Sequence, residues 1–292
     1  MIPRAVRAHL EESSDIEVVL VGSTEALAAH AGNLPSESIG SFDGSLGSAG
    51  MISLRAIRRA VEMALAGEVS GILTGPVHKP ALRAAGSHHP GQTELLGQLA
   101  GVSRVGMLMH AEMPRPLRIL LATTHLPLRE VPTALTSERL EDQTYLLAES
   151  LRTHWGIPSP RIALCAMNPH ASDGGLFGDE EARIFLPAVR RLRDRGVTVT
   201  DPLPADTVFL QMLSGDADAV VSPYHDVGMS VFKTLAFGHG VNVTLGLPFV
   251  RTSPDHGTAF DLVGTGRADP TSSLEALRLA ARLMAVGSSA RL

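Results

Sequence analysis

The chain has 292 residues, 44% hydrophobic and 19% charged, with 25 Lys and Arg against 30 Asp and Glu for a formal net charge of −5. That is enough apolar chain for a substantial core arranged as one large domain or two lobes, and an acidic balance without a basic stripe excludes nucleic acid as the main partner. No stretch reaches the ~18 apolar residues of a membrane span, and the single cysteine, Cys165, excludes a disulfide framework. The amino-terminal segment MIPRAVRAHLEESSD carries no apolar signal-peptide region, so the expected location is a reducing cytoplasm. Aromatic residues are 4% of the chain, too few for a stacking platform for single strands.

In chain order, residues 2–12 pattern as a helix, and IEVVLVGS from Ile16 reads as a buried strand followed by a helix starting near Ser23 or Thr24. A Gly/Ser-rich loop over 40–50 leads to a helix from Ile52 to Ala66, and VSGILTGPVHK reads as strand then loop. After the strand LRILLATTH comes a long helix over 137–154, with Ser137 as its N-cap and Gly156 and Pro158 ending it. The strand RIALCAMNPH opens into a glycine loop and then a helix with an acidic first turn, which suits the helix dipole. VTVT, a PADTVF loop and helix, DAVVSPYHD and VNVTLGLPF follow, and a helix over 272–286 closes the chain. This alternation of strand and helix defines an α/β class with a parallel sheet. No repeat or linker marks a boundary, so two lobes exchanging strands fit as well as two sequential domains.

Three short apolar runs stop at or just before a histidine: His125, His170 and His225. Continuous apolar runs fit strands covered on both faces, and parallel sheets bind ligands beyond their C-terminal strand ends. Three imidazoles delivered there are able to hold one divalent ion. A single histidine after a strand more often caps a helix or bonds the backbone; the repetition carries the metal reading. Other polar groups accompany them. TGPVHKPAL places His78 and Lys79 after a strand, and GQTE places Gln92, Thr93 and Glu94 at a helix start, where Thr93 could equally be the cap. YHDVGMSVFK sets Lys233 eight residues past His225, and the glycine-spaced stretch after it carries Asn242, Arg251, Asp255 and His256. Arg251 is suited to a bidentate grip on a carboxylate or phosphate. The GxGxxG dinucleotide fingerprint is missing, and Gly264 and Gly266 are a poor substitute.

Through TGPVHK, TTHLPL, NPHASDGGLFGDEE, PLPADTVF, YHDVG, GVNVTLGLP and RTSPDHGTAFD, the chain resembles the 4-hydroxythreonine-4-phosphate dehydrogenase family of vitamin B6 biosynthesis. The resemblance implies a two-lobed α/β/α sandwich of the isocitrate/isopropylmalate dehydrogenase type. Residues 1–292 would form one catalytic unit with its site in the cleft between lobes, and a homodimer would share its active sites. It implies His125, His170 and His225 as ligands of one divalent ion (Zn, Mg, Co or Mn), and Gln92, Thr93, Lys233, Asn242 and Arg251 as substrate contacts. DHGTAFD with GTGRADP behind it is similar to the NAD-binding loop of the β-decarboxylating dehydrogenases, which implies His256, Gly257 and Asp261 as contacts for NAD, with NADP possible as a replacement. The implied reaction is metal-assisted oxidation of the secondary alcohol of 4-phosphooxy-threonine, then decarboxylation to 3-amino-2-oxopropyl phosphate, with His256, Asp255 or Lys233 as base.

Two departures stand out. The histidine that precedes the family's GHTE threonine is Gln92 here, a neutral amide where the family has a proton carrier. The family also opens with a strand and a GDPAGIGPE-like loop, whereas MIPRAV corresponds to the helix after that loop, so a truncated or misassigned start is expected. Gln92 keeps open a related dehydrogenase acting on a four-carbon sugar acid phosphate or a cyclic dihydrodiol carboxylate. A non-catalytic metal- or ligand-binding relative and a metallohydrolase are the remaining alternatives.

Overall fold

The structure, a computed structural model, describes residues 1–89, 91–112 and 115–289. It divides into two compact units, 1–104 with 247–284, and 105–246 with the residues from Ala285 on. The first unit contains α1 (Ile2–Glu12), β1 (Leu20–Gly22), α2 (Thr24–His30), β2 (Ser36–Ser38), α3 (Leu46–Leu65), β3 (Gly71–Leu73), α4 (Lys79–Ala84) and α5 (Gln92–Leu99). The second contains β4 (Gly106–Ala111), β5 (Leu117–Leu121), α6 (Val131–Ala134), α7 (Ser137–His154), β6 (Arg161–Cys165), α8 (Leu186–Asp194), β7 (Thr198–Leu203), α9 (Val208–Ser214), β8 (Ala219–Ser222), α10 (His225–Ala236) and β9 (Val241–Leu245). The chain then returns to the first unit with β10 (Val250–Pro254) and α11 (Thr271–Ser289), whose last turn, from Ala285, belongs to the second unit.

In the first unit β1 pairs parallel with β2, and β3 parallel with β10. Val6, Leu20, Ala31 and Leu277 form a buried apolar cluster under α1 and α2. Helix α3 lies tight on α4. A Cβ at Gly50 would stand 1.9 Å from the Ala81 carbonyl oxygen, so this contact admits only glycine.

The second unit is built on six strands in the order β9, β4, β5, β8, β6, β7. β5, β8, β6 and β7 run parallel, while β4 is antiparallel to both β5 and β9. The sheet is therefore mixed, which corrects the expectation of a parallel one. The apolar runs bury as expected: Ile119, Leu120, Ala163, Leu164, Ala219 and Val220 are fully buried, and Phe232 of α10 packs into the same core.

Helix α7 spans the expected residues, but its cap is Thr136, whose Oγ1 accepts from the Arg139 amide. The strand at Ile16 shortens to Leu20–Gly22. Helix α3 starts at Leu46, inside the Gly/Ser stretch expected to be a loop, because Ser45 Oγ accepts from the Ser48 amide and caps it. Thr93 is not a cap; Gly91 holds that position and Thr93 lies within α5. No helix among the described residues is long and apolar enough to cross a membrane.

Candidate active site

Two of the three expected metal ligands meet because of strand register. β5 and β8 are parallel neighbours with Leu121 opposite Ser222. Their extensions stay fastened past the ladder: the Ala122 amide donates to the Ser222 carbonyl at 2.9 Å, and Thr123 Oγ1 donates to the Pro223 carbonyl at 2.7 Å. His125 follows one end, and His225, the first residue of α10, follows the other. Their ring centroids lie 5.4 Å apart. Helix α10 is seated closely enough to fix its first residue, since a Cβ at Gly228 would lie 2.7 Å from Leu121 Cδ2 and 3.0 Å from Ser222 Cβ. His225 Nδ1 pairs with Asp226 Oδ1 at 2.7 Å. A carboxylate accepting from Nδ1–H leaves the Nε2 lone pair outward, the arrangement a metal-binding imidazole requires.

His170 follows β6, the other neighbour of β8. It does not join the pair: among the described residues no three His, Cys, Asp or Glu side chains gather where one ion would bind them. Residues His170, Ala171, Ser172 and Asp173 all have φ between 43° and 68°, a left-handed conformation costing about 1–2 kcal/mol for each residue with a side chain. The turn leaves His170 exposed, with its ring 6.2 Å from that of Phe177. Its anchor is Glu181, whose Oε1 accepts from the Met167 and Asn168 amides at 2.8 Å each. Oε2 accepts from Asn168 Nδ2 at 2.9 Å and from Ser172 Oγ. Burial pushes the Glu181 carboxyl up, and the donors from Ser172 and Asn168 outweigh it, leaving the carboxyl below its ordinary 4.5.

In the first unit the expected anion-binding residues Arg251 and Gln92 do meet. Arg251, on β10, is 2% exposed. Its Nη2 donates to Thr74 Oγ1 at 2.6 Å and to Gln92 Oε1 at 3.5 Å, and Gln92 Nε2 donates to the Gly75 carbonyl at 3.0 Å. Thr74 is thus part of this cluster although the sequence reading passed over it. Burial lowers the Arg251 guanidinium from 12.5 to about 10. Thr93 lies beside Gln92 on α5, half-buried.

The remaining expected residues are spread over both units. In the second, Lys233 on α10 sets its Nζ 5.8 Å from the Phe237 ring centre. Asn242 on β9 stands opposite Met109 of β4, with its Oδ1 buried and making no hydrogen bond. In the first, Ser272 Oγ accepts from the Asp255 amide at 3.2 Å and faces Asp255 Oδ1 at 3.4 Å. His256 Nδ1 lies 2.8 Å from the Gly257 carbonyl, which can only accept, so Nδ1 is the donor there; Nε2 is buried and makes no hydrogen bond. Gly257 faces open space, Asp261 sits on an exposed 3₁₀ turn, and His78 stacks edge-on against Phe260 at 5.1 Å. Besides Thr74, the sequence reading missed Glu181 and gave Asp226 no role. All three lie inside the motif strings, but only their contacts reveal what they hold.

Donor chemistry and geometry suit the expected groups. The imidazole pair with its Asp226 partner suits a divalent ion, and the orphaned His256 Nε2 beside an open glycine suits a cofactor with a polar group to offer.

Comparison with known proteins shows the family of the chain. The family model described as "Pyridoxal phosphate biosynthetic protein PdxA" matches residues 7–280. A 4-hydroxythreonine-4-phosphate dehydrogenase of Desulfosudis oleivorans is 47% identical over 225 residues, 77% of this chain and 66% of that protein. The crystal structure of the Klebsiella pneumoniae 4-hydroxythreonine-4-phosphate dehydrogenase superposes with a TM-score of 0.82 at 38% identity, covering 93% of this chain and 91% of the other. A terephthalate 1,2-cis-dihydrodiol dehydrogenase from Burkholderia xenovorans gives 0.68 at 28% identity, covering 96% and 93%. The chain is an α/β oxidoreductase of the dehydrogenase class. It belongs to the PdxA family of pyridoxal phosphate biosynthesis.

Proposed function

We propose that the chain oxidises the secondary alcohol of 4-phosphooxy-threonine with NAD as acceptor, the resulting β-keto acid losing carbon dioxide to give 3-amino-2-oxopropyl phosphate. The observation that carries the metal part is the His125–His225 pair at the ends of adjacent parallel strands, with Asp226 on His225 Nδ1. When bound, a divalent ion (Zn, Mg, Co or Mn) would supply Lewis acidity toward the reacting oxygen, and NAD would accept the hydride. His125 and His225 would hold the ion, with the third imidazole, His170, coming from a second copy of the chain. Arg251, kept in place by Thr74 and Gln92, binds the phosphate together with Thr93, while Asn242 and Lys233 contact the rest of the substrate. His256, whose Nδ1 faces the Gly257 carbonyl, is the first candidate for removing the alcohol proton, followed by Asp255 and Lys233. His256, Gly257 and Asp261 contact NAD.

The chain acts as one catalytic unit in the cytoplasm and as a homodimer. Large apolar side chains next to the histidines, Leu126 and Leu128 beside His125 and Leu176 and Phe177 beside His170, are exposed and suit a second copy. That copy would bring His170 to the partner's histidine pair.

A second reading, a dehydrogenase of a cyclic dihydrodiol carboxylate, is favoured by Gln92, since a neutral amide joins Arg251 where the family has histidine. NADH formation by the zinc-loaded protein, measured with 4-phosphooxy-threonine and with unphosphorylated alcohols, decides between them. Turnover of the phosphorylated substrate alone is expected. Turnover confined to dihydrodiol carboxylates overturns the first reading, and no NAD reduction with any alcohol overturns both.

A further inference from the structure

We propose that Glu181 is a positioning residue for His170: its buried carboxylate locks the left-handed turn over 170–174 and thereby sets the metal affinity without touching the ion. This role rests on reading His170 as a metal ligand.

Three observations support it. The four-residue left-handed run at His170–Asp173 is disfavoured in an L-chain and persists only where something outside it holds it. Beside the turn's own backbone bonds, Ala171 to Asn168 and Phe177 to Ser172, the side-chain hold is Glu181, which is 4% exposed and takes both main-chain amides leading into the turn, the Asn168 amide group, and the hydroxyl of Ser172 within the turn. The surroundings keep that cluster in place: Asn168 Nδ2 donates a second time, to Glu180 Oε2 at 2.7 Å. A Cβ at Gly178 would lie 2.8 Å from that same nitrogen, so the space beside it has to stay empty.

The chemistry follows from acceptor counting. An ionised carboxylate offers two oxygens, each here facing two donors; a glutamine offers one, so Glu181→Gln turns an NH₂ toward the Asn168 amide nitrogen and loses an acceptor. The turn is then free to relax to right-handed or extended backbone, and the conformer that presents His170 becomes a minor one. Apparent metal affinity falls in proportion to that population.

The test measures Zn²⁺ affinity of the full-length protein against a chromophoric chelator, together with amide hydrogen exchange of the metal-free protein. Glu181→Gln is expected to weaken Zn²⁺ binding by about 10-fold to 100-fold, the range for groups that orient a ligand. Exchange at the Met167 and Asn168 amides should rise. In a His170→Ala background the same substitution should change affinity no further. Wild-type affinity in Glu181→Gln with faster exchange overturns the proposal, as does an equal loss with and without His170. If His170→Ala alone keeps wild-type affinity, the ligand reading fails and the positioning role falls with it. Should Glu181→Gln not fold, Ser172→Ala removes a single donor and is expected to weaken binding about threefold; no change there overturns the proposal equally.

Discussion

Replacing Arg251 with methionine separates binding from stability. The guanidinium sits at 2% exposure, and its pKa is held at about 10 against 12.5 by burial, a penalty on the charged form of about 3 kcal/mol. Methionine fills similar space and removes that penalty, but leaves Thr74 Oγ1, on a residue 8% exposed, without its 2.6 Å donor. That loss and the Gln92 contact return about 1–3 kcal/mol. The two effects nearly cancel, so urea unfolding should show a change of no more than about 1–2 kcal/mol. An anionic substrate loses a desolvated cation, worth about 2–4 kcal/mol, so KM for a phosphorylated alcohol should rise about 30-fold to 1000-fold with kcat less affected. A variant destabilised by more than about 3 kcal/mol with unchanged KM would refute the argument and make Arg251 a structural cation.

Other consequences are open to direct measurement. Gly228→Ala forces α10 away from Leu121 and Ser222; overpacking of about 1–3 kcal/mol, less about 1 kcal/mol of helix propensity, should lower unfolding stability and weaken Zn²⁺ binding, as His225 moves with the helix start. Unchanged values for both would mean that the Leu121 side chain simply yields. Cys165 is buried, and burial together with the Glu181 charge pushes its thiol up to about 12, so Ellman's reagent at pH 8 should label the denatured protein and leave the native one untouched. Asp218 is raised by burial but brought net below 3.8 by hydrogen bonds from the Arg161 side chain and amide. Its stabilisation is therefore complete above about pH 4 and lost as pH falls through the folded value. Asp218→Asn should flatten that part of the acid unfolding curve, and an unaltered acid limb would exclude the pair as a contributor.

Helices α1 and α7 were legible residue by residue, because apolar spacing runs along each of them, although α1 has no side-chain cap and α7 is capped one residue before Ser137. β10 was not, since RTSP reads as a polar loop. It is buried because Arg251 bonds to Thr74 and Thr252 Oγ1 to the Ala276 carbonyl, partners 177 and 24 residues distant. The first two turns of α3 were hidden by glycines and serines that disfavour helix, yet Gly50 is there because α4 approaches too closely for a side chain. At the site, the strand-end rule brought out His125 and His225 as neighbours, since register alone places them. The conformation at His170 was out of reach, because it depends on a carboxylate eleven residues later and not on the local string.

The dependence of the His170 turn on Glu181 also orders events in time. No local preference favours four left-handed residues in succession, and the turn's own backbone bonds, Ala171 to Asn168 and Phe177 to Ser172, leave its approach from β6 to be fastened by Glu181. It closes only when β6 has delivered Met167 and Asn168 and the helical segment beginning at Glu181 has docked beside them. The histidine between those points is set in place only once both flanks are, so a chain lacking either flank has little means of capturing metal with it.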